Sequence, residues 1–382
     1  MARLRRTLKV VQVLPAMESG GVEQGTLEIA QALTTAGHES VVVSKGGRLV
    51  EALERTGSRH VAWDIGRKHP ATVLMARRFR RWLAVERPAV LHARSRLPAW
   101  VCWLAWRAMP ETARPRFVTT VHGLYSVSRY SAIMARGERV IAVSDTARRY
   151  VQENYPDIDM TRLARIYRGV DRGRFCRGFS PSDDWLATWR SDFPATVGKD
   201  LIVLPGRLTR LKGHRDFVGV MAQLRSTNRD AVGVVVGGID PRHRAYADEI
   251  RQLDGDIVFA GHRTDLREIM AISAAVVSLS RKPESFGRTA LEALSLGTPV
   301  VGYEHGGVGE ILAHIYPDGR VAVGDTAAAA HKLRTILNDP AAAKRSLRDH
   351  DFDVARMCAQ TIDLYRELVY GTPAEAAGSS AP

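Results

Sequence analysis

Cysteine is scarce in this chain: three in 382 residues (Cys102, Cys176 and Cys358), too widely spaced for a disulfide framework or a metal cluster. That usage fits a reducing compartment. Long hydrophobic runs are missing too, with none reaching the roughly 18 apolar residues a membrane-spanning helix needs. The opening Met1–Arg6, followed by Leu8–Pro15, has the outline of a secretory leader. Lys9 and Gln12 interrupt it and no small-residue cleavage site follows, so it reads as a first β-strand of a cytoplasmic protein. A GxGxxG dinucleotide fingerprint is absent. Acidic residues are short in one half only. Residues 1–178 hold 31 Lys+Arg against 15 Asp+Glu, a net of +16, whereas residues 179–382 hold 24 against 26, a net of −2. A basic first half implies a polyanionic neighbour: nucleic acid, an anionic membrane surface or a phosphorylated substrate.

What is present suits two α/β domains. In the first half, strand-like runs (Val10–Leu14, Ser40–Ser44, Val90–His92, Phe117–Val121, Val140–Val143) alternate with helix-like ones (Val22–Thr35, Thr72–Glu86, Pro98–Met109, Asp145–Asn154). The alternation predicts a doubly wound parallel sheet over 1–178. Periodicity fades over 179–200, which reads as a linker with a short Trp-bearing helix. It restarts over 201–350, with strands at Leu201–Leu204, Gly233–Val236, Ile257–Phe259, Ala275–Leu279 and Val300–Val301. Helices lie between them at His214–Arg225, Tyr246–Leu253, Leu266–Ile272 and Ala290–Leu296. A helical segment at 351–370 is expected to cross back, and 371–382 to be disordered. Two such halves imply a cleft between them, where ligands bind.

Four motifs fall at strand-to-helix junctions. Glu284 and Glu292 bracket Ser285-Phe286-Gly287-Arg288; Glu284 is expected in a loop and Glu292 about two turns along the next helix. Two acceptor-only carboxylates at strand ends suit a polyhydroxylated ligand. Arg207 and Lys212, five apart after the strand that opens the second half, suit a diphosphate. Taken alone, each of these pairs equally describes ordinary surface residues. Ser19-Gly20-Gly21-Val22-Glu23 lets backbone N–H groups approach a ligand at a helix start. His122-Gly123 ends a buried strand, where a histidine is more often structural than catalytic.

Together these residues, with Glu304-His305-Gly306-Gly307-Val308-Gly309-Glu310, resemble the retaining glycosyltransferases of family 4. The resemblance runs from about Val10 to Tyr370. It implies the GT-B fold, two Rossmann-like domains facing each other across a deep cleft, and a hexosyltransferase using a nucleotide-diphosphate sugar. It further implies that Arg207 and Lys212 bind the leaving diphosphate and Glu292 the donor ribose. Glu284, with the amides of Phe286 and Gly287, would hold the sugar hydroxyls. His122 would sit beside the reacting sugar, and Gly20-Gly21 would admit phosphate and acceptor. The sequence departs from the family at Arg288, where an apolar residue is usual, and at Val308-Gly309, where a proline is common.

Fixed cations stabilise charge on a leaving diphosphate, so no metal or other cofactor is expected. Two Asp-x-Asp triplets (157–159 and 351–353) are poor metal candidates from their positions. On the acceptor side, Gly21, His92, Arg94 and Arg96 suggest a phosphorylated partner. Arg77-Arg78-Phe79-Arg80-Arg81-Trp82 suits an anionic membrane surface, although an ordinary packed helix reads the same way. The three-apart Trp100, Trp103 and Trp106 favour simple packing. The combination is similar to the bacterial branch that adds sugars to lipopolysaccharide core, with a lipid-linked acceptor on the inner membrane's cytoplasmic face. Capsule or exopolysaccharide assembly competes with that reading, and a GT-B-like nucleotide-sugar epimerase or a phosphorylase stands further off. Nucleic acid is not expected as a partner, because no reading module accompanies the charge.

Overall fold

In the computed structural model, residues 7–18, 20–67, 69, 71–239, 243–253 and 256–371 are described. The leader-like Met1–Arg6, Ser19 and the tail beyond Gly371 lie outside them. The chain forms two compact units and crosses between them twice, at Gly169–Val170 and at Asp351–Phe352.

The first unit runs β1 (Lys9–Val13), α1 (Gly21–Thr35), β2 (Glu39–Ser44), α2 (Val50–Arg55), β3 (Arg59–Ala62), α3 (Ala71–Glu86), β4 (Val90–Ala93) and α4 (Arg96–Arg107). It continues through β5 (Arg116–Val121), β6 (Arg139–Ala142), α5 (Asp145–Asn154) and β7 (Leu163–Arg165). The strands are near-continuous apolar runs such as Val41-Val42-Val43, because a parallel sheet is covered on both faces. Their order is β3-β2-β1-β4-β5-β6-β7, all parallel. The order reverses between β1 and β4, and ligands bind outside the strand ends at such a switch point. The loops carrying Gly20 and Arg94 leave those two strands.

The second unit comprises α6 (Asp183–Asp192), β8 (Asp200–Pro205), α7 (His214–Arg225), β9 (Ala231–Val236), α8 (Arg244–Leu253), β10 (Val258–Gly261), α9 (Leu266–Ala271) and β11 (Ala275–Ser278). Then follow α10 (Arg288–Leu296), β12 (Val300–Tyr303), α11 (Gly306–Ile315), β13 (Arg320–Val321), α12 (Thr326–Asn338) and α13 (Pro340–Arg345). Its parallel order is β10-β9-β8-β11-β12-β13. Here the switch point lies between β8 and β11, whose exits carry Arg207, Lys212 and Glu284. After Asp351 the chain returns to the first unit as α14 (Val354–Tyr370). There Met357, Cys358, Ile362 and Tyr365 pack with Leu8, Ile29, Leu33 and Val90.

The segment 179–200 is not a free linker, and the first unit ends at Gly169 rather than 178. α6 belongs to the second unit: Trp189 is buried, and Trp185 Nε1 donates to Asp265 Oδ2 at 2.7 Å. One buried edge of an otherwise polar helix is too little for periodicity to register.

Candidate active site

Beyond β8, Gly206 leads into Arg207 and a short 3-10 turn, Arg210–Lys212, that ends at Gly213. Gly213 has φ 76, and a Cβ there would lie 1.9 Å from the Leu279 carbonyl oxygen, so only glycine fits. Leu211 O accepts from Arg281 N at 3.0 Å, knitting this turn to the loop that leaves β11. Lys212 and Glu284 therefore meet: Lys212 Nζ lies 2.7 Å from Glu284 Oε1, which also accepts from Ser280 Oγ at 2.5 Å. Burial pushes the Glu284 pKa up, but the Lys212 ammonium, the Ser280 hydroxyl and nearby His305 outweigh it and hold it below the usual carboxylate range. Arg207 is exposed and makes no hydrogen bond or ion pair among the described residues.

The Glu284 loop rests on the start of α11. Gly307 N donates to Glu284 O at 2.7 Å. A Cβ on Gly306 would meet the Glu284 backbone at 2.6 Å, and one on Gly307 would meet Phe286 Cα at 2.3 Å. The paired glycines thus let two backbones touch. Phe286 is buried and anchors the loop, while Gly287, at φ 98, turns the chain into α10. Because α10 begins at Arg288, Glu292 sits one turn in rather than two. Arg288 Nε binds Glu292 Oε1 at 2.9 Å. The residue that departs from the family pattern thereby pairs with the expected ribose ligand. A further brace, Arg281 bidentate on Asp216 with Tyr303 Oη donating to the same carboxylate, fixes the β11 exit to α7.

In the first unit, His122 follows β5 and is partly buried, with Nδ1 3.2 Å from Arg168 Nη2. Burial first, then Arg94, Arg168 and His92, push its pKa well below the ordinary value. The ring is neutral, and with a guanidinium donating to Nδ1 its proton sits on Nε2. Gly21 and Gly25 of α1 face the same guanidinium: a Cβ on Gly21 would lie 2.7 Å from Arg168 Nη1. Gly20, at φ 167, is extended, and the side chain of Glu23 folds against it.

Three acceptor-side expectations need correcting or refining. His92 is no surface cation. It lies within β4 with no exposure, Nδ1 2.6 Å from Tyr365 Oη and Nε2 2.7 Å from Thr120 Oγ1. Burial, then Arg94, drive its pKa far down, so it is a neutral bridge between sheet and α14. Arg96 does not project freely; its guanidinium lies over Tyr125 (4.6 Å) and Tyr130 (5.3 Å) and donates to Ser131 Oγ. Arg94 is 2% exposed and donates from Nη1 to Gln12 Oε1 at 3.0 Å. Arg168 is the residue that sequence reasoning missed, since it lies 46 positions from the histidine it touches. The second aspartate of each Asp-x-Asp triplet acts as a helix cap: Asp159 accepts from Thr161 N and Asp353 from Ala355 N. Among the described residues no three His, Cys, Asp or Glu side chains gather as a metal site would require.

Residues 19–174 match the family model Glycosyltransferase Family 4, and residues 187–349 match Glycosyl transferases group 1. The chain belongs to the family 4 glycosyltransferases. The enzyme is a hexosyltransferase with the GT-B fold. It is 26% identical to the glycogen synthase of Mycobacterium tuberculosis, over 94% of each chain. It is 27% identical to the lipopolysaccharide core biosynthesis mannosyltransferase LpcC of Rhizobium leguminosarum, over 55% of this chain and 57% of that one. The crystal structure of Anabaena Alr3699/HepE in complex with UDP and glucose superposes with a TM-score of 0.77 at 20% identity, over 94% of this chain and 99% of that one. No described helix of the glycosyltransferase is long and apolar enough to cross a membrane.

Proposed function

We propose that the enzyme transfers a hexose with retention from a UDP-hexose to a phosphorylated, lipid-linked saccharide of the lipopolysaccharide core, at the cytoplasmic face of the inner membrane. The observation that carries the donor half is the Lys212–Glu284 pair beside exposed Arg207 at the switch point of the second unit. Arg207 and Lys212 take the diphosphate, Glu292 the ribose, and Glu284 with the Phe286 and Gly287 amides the sugar hydroxyls. His122 offers a neutral Nε2–H to the transferred sugar, and Gly20-Gly21 allow close backbone approach. As the anomeric C–O bond breaks, the bonding pair goes to the diphosphate, where the two cations stabilise it. The acceptor oxygen then bonds to the anomeric carbon on the same face and gives its proton to the departing phosphate oxygen. No metal is needed for that step.

The likeness to LpcC and the UDP bound to Alr3699/HepE support the acceptor and donor classes. The basic first half supports an anionic surface as neighbour. On α3, Leu74 and Val85 are 74% and 82% exposed, and they flank Arg77 and Arg81 at helical spacing. Phe79 is buried and Trp82 stacks on it at 5.4 Å, so the basic face, not the aromatics, would meet lipid. Thermal-shift titration with UDP-, GDP- and ADP-hexoses tests the donor assignment, since a bound donor stabilises according to its affinity. UDP compounds should give the largest shift; no shift with any of the three would refute the assignment.

A further inference from the structure

We propose that the first unit holds a second anion pocket, built from Arg94, Arg168 and the opening turns of α1, which takes a phosphate monoester on the acceptor. Gly21 and Gly25 lie one helical turn apart on α1. A Cβ on Gly25 would sit 2.9 Å from Arg168 Nη2 and 3.2 Å from Arg94 Nη2, as one on Gly21 would meet Arg168 Nη1. Two guanidiniums therefore crowd one glycine stripe at the start of a 15-residue helix. That end of a helix carries partial positive charge and unpaired N–H groups, so it repels cations and attracts anions. Gly20 supplies no side-chain cap.

Arg94 makes the mismatch sharper. It is nine-tenths buried or more, and among the described residues its guanidinium makes one hydrogen bond, to the neutral Gln12 amide, while its Nε is buried with no partner. Glu23 and Glu28 act on it only at a distance. A buried cation without a contacting counter-ion is costly, and an incoming oxyanion removes that cost. The planar forks of two arginines suit phosphate, whose charge of about −1.5 to −2 near pH 7 matches them. Gly21 and Arg94 follow β1 and β4, the neighbouring strands at which the sheet order reverses, where a ligand crevice is expected of this sheet.

Assigning the anion to the acceptor rests on the proposed donor site, which already places the diphosphate on Arg207 and Lys212. Calorimetric titration of the full-length protein with inorganic phosphate, in saturating UDP, tests it. The wild type should bind one phosphate per chain. Arg168→Gln should bind it about tenfold or more weakly. Gly25→Ala, which keeps both arginines but fills the pocket, should do the same and covers the case in which Arg168→Gln misfolds. Loss of phosphate binding when UDP is added would give the pocket to the donor and overturn the proposal, as would wild-type affinity in both variants. If UDP itself fails to bind, the donor reading falls separately. Phosphate titration of Lys212→Gln, with and without Arg168→Gln, then reads the pocket alone.

Discussion

Replacing Lys212 with alanine separates its pairing with Glu284 from the catalytic role proposed for it. In the free enzyme it neutralises Glu284 at 2.7 Å, with side-chain exposures of 33% and 26%. Exposed pairs contribute about 0–1 kcal/mol, and breaking a buried pair costs about 3–5 kcal/mol. This half-buried pair lies between, so Lys212→Ala should lower stability at pH 7 by about 1–2 kcal/mol. The pH dependence has a definite sign. Glu284's folded pKa is depressed, so its contribution is present above the unfolded value of about 4.3 and is lost as pH falls through the folded value. The deficit of the variant should therefore shrink between neutral and acid pH. In the proposed reaction the same ammonium would face the leaving diphosphate. Removing one such preorganised group costs about 3 kcal/mol, or roughly two orders of magnitude in rate. Urea unfolding from pH 7 down to about pH 3, across the window in which the Glu284 contribution is lost, and UDP release from a UDP-hexose measure the two effects. Turnover and UDP affinity both within about threefold of wild type would refute the role given to Lys212.

Three further outcomes follow from particular contacts. Glu292→Ala removes the charged acceptor proposed for the ribose hydroxyls and should weaken UDP binding about tenfold to a hundredfold by calorimetry; unchanged affinity would remove Glu292 from the proposed donor site. Gly213→Ala forces a side chain onto the Leu279 carbonyl at φ 76 and should cost about 2–4 kcal/mol in denaturant unfolding, whereas a loss below about 0.5 kcal/mol would contradict the close approach. The double charge reversal Arg77→Glu with Arg81→Glu should reduce co-sedimentation with phosphatidylglycerol vesicles at low salt about thirtyfold or more, taking about 1 kcal/mol for each basic charge lost. Equal binding by wild type and variant would exclude α3 as the membrane face.

Much of the fold is legible because buried parallel strands must be apolar throughout. Val41-Val42-Val43 and Ala275-Val276-Val277 can hardly be anything else, and their spacing by helices implies the parallel order. The glycines of the donor loops are legible for a different reason. Gly213 and Gly306 occupy positive φ against a neighbouring backbone, so their spacing is imposed by contact, not by propensity. Other features carry no such signature. A two-residue strand, Arg320–Val321, has no period to detect. His92 reads identically in sequence whether it faces solvent or bridges Thr120 and Tyr365, the latter 273 positions away. Arg168 reaches His122 across 46 positions, a contact that residue spacing does not encode.

The structure also alters what the charged residues of the donor loops mean. In sequence Lys212 is a diphosphate cation, and Glu284 and Glu292 are hydroxyl acceptors. In the folded unit Lys212 is paired with Glu284, Arg288 with Glu292 and Arg281 with Asp216. A ligand that supplied only an anion would draw Lys212 away and strand the Glu284 carboxylate, which is expensive in a partly buried site. A ligand that supplied only hydroxyls would satisfy Glu284 without compensating Lys212. A sugar joined to a diphosphate satisfies both in one step, because its phosphate replaces the carboxylate on Lys212 while its hydroxyls replace the ammonium on Glu284. On the proposed donor site, pairing in the free enzyme would thus act as discrimination, penalising fragments of the donor relative to the whole. On the same proposal, Arg207, exposed and without a hydrogen bond or ion pair of its side chain among the described residues, would be the cation to meet the diphosphate first, before the Lys212–Glu284 pair has opened.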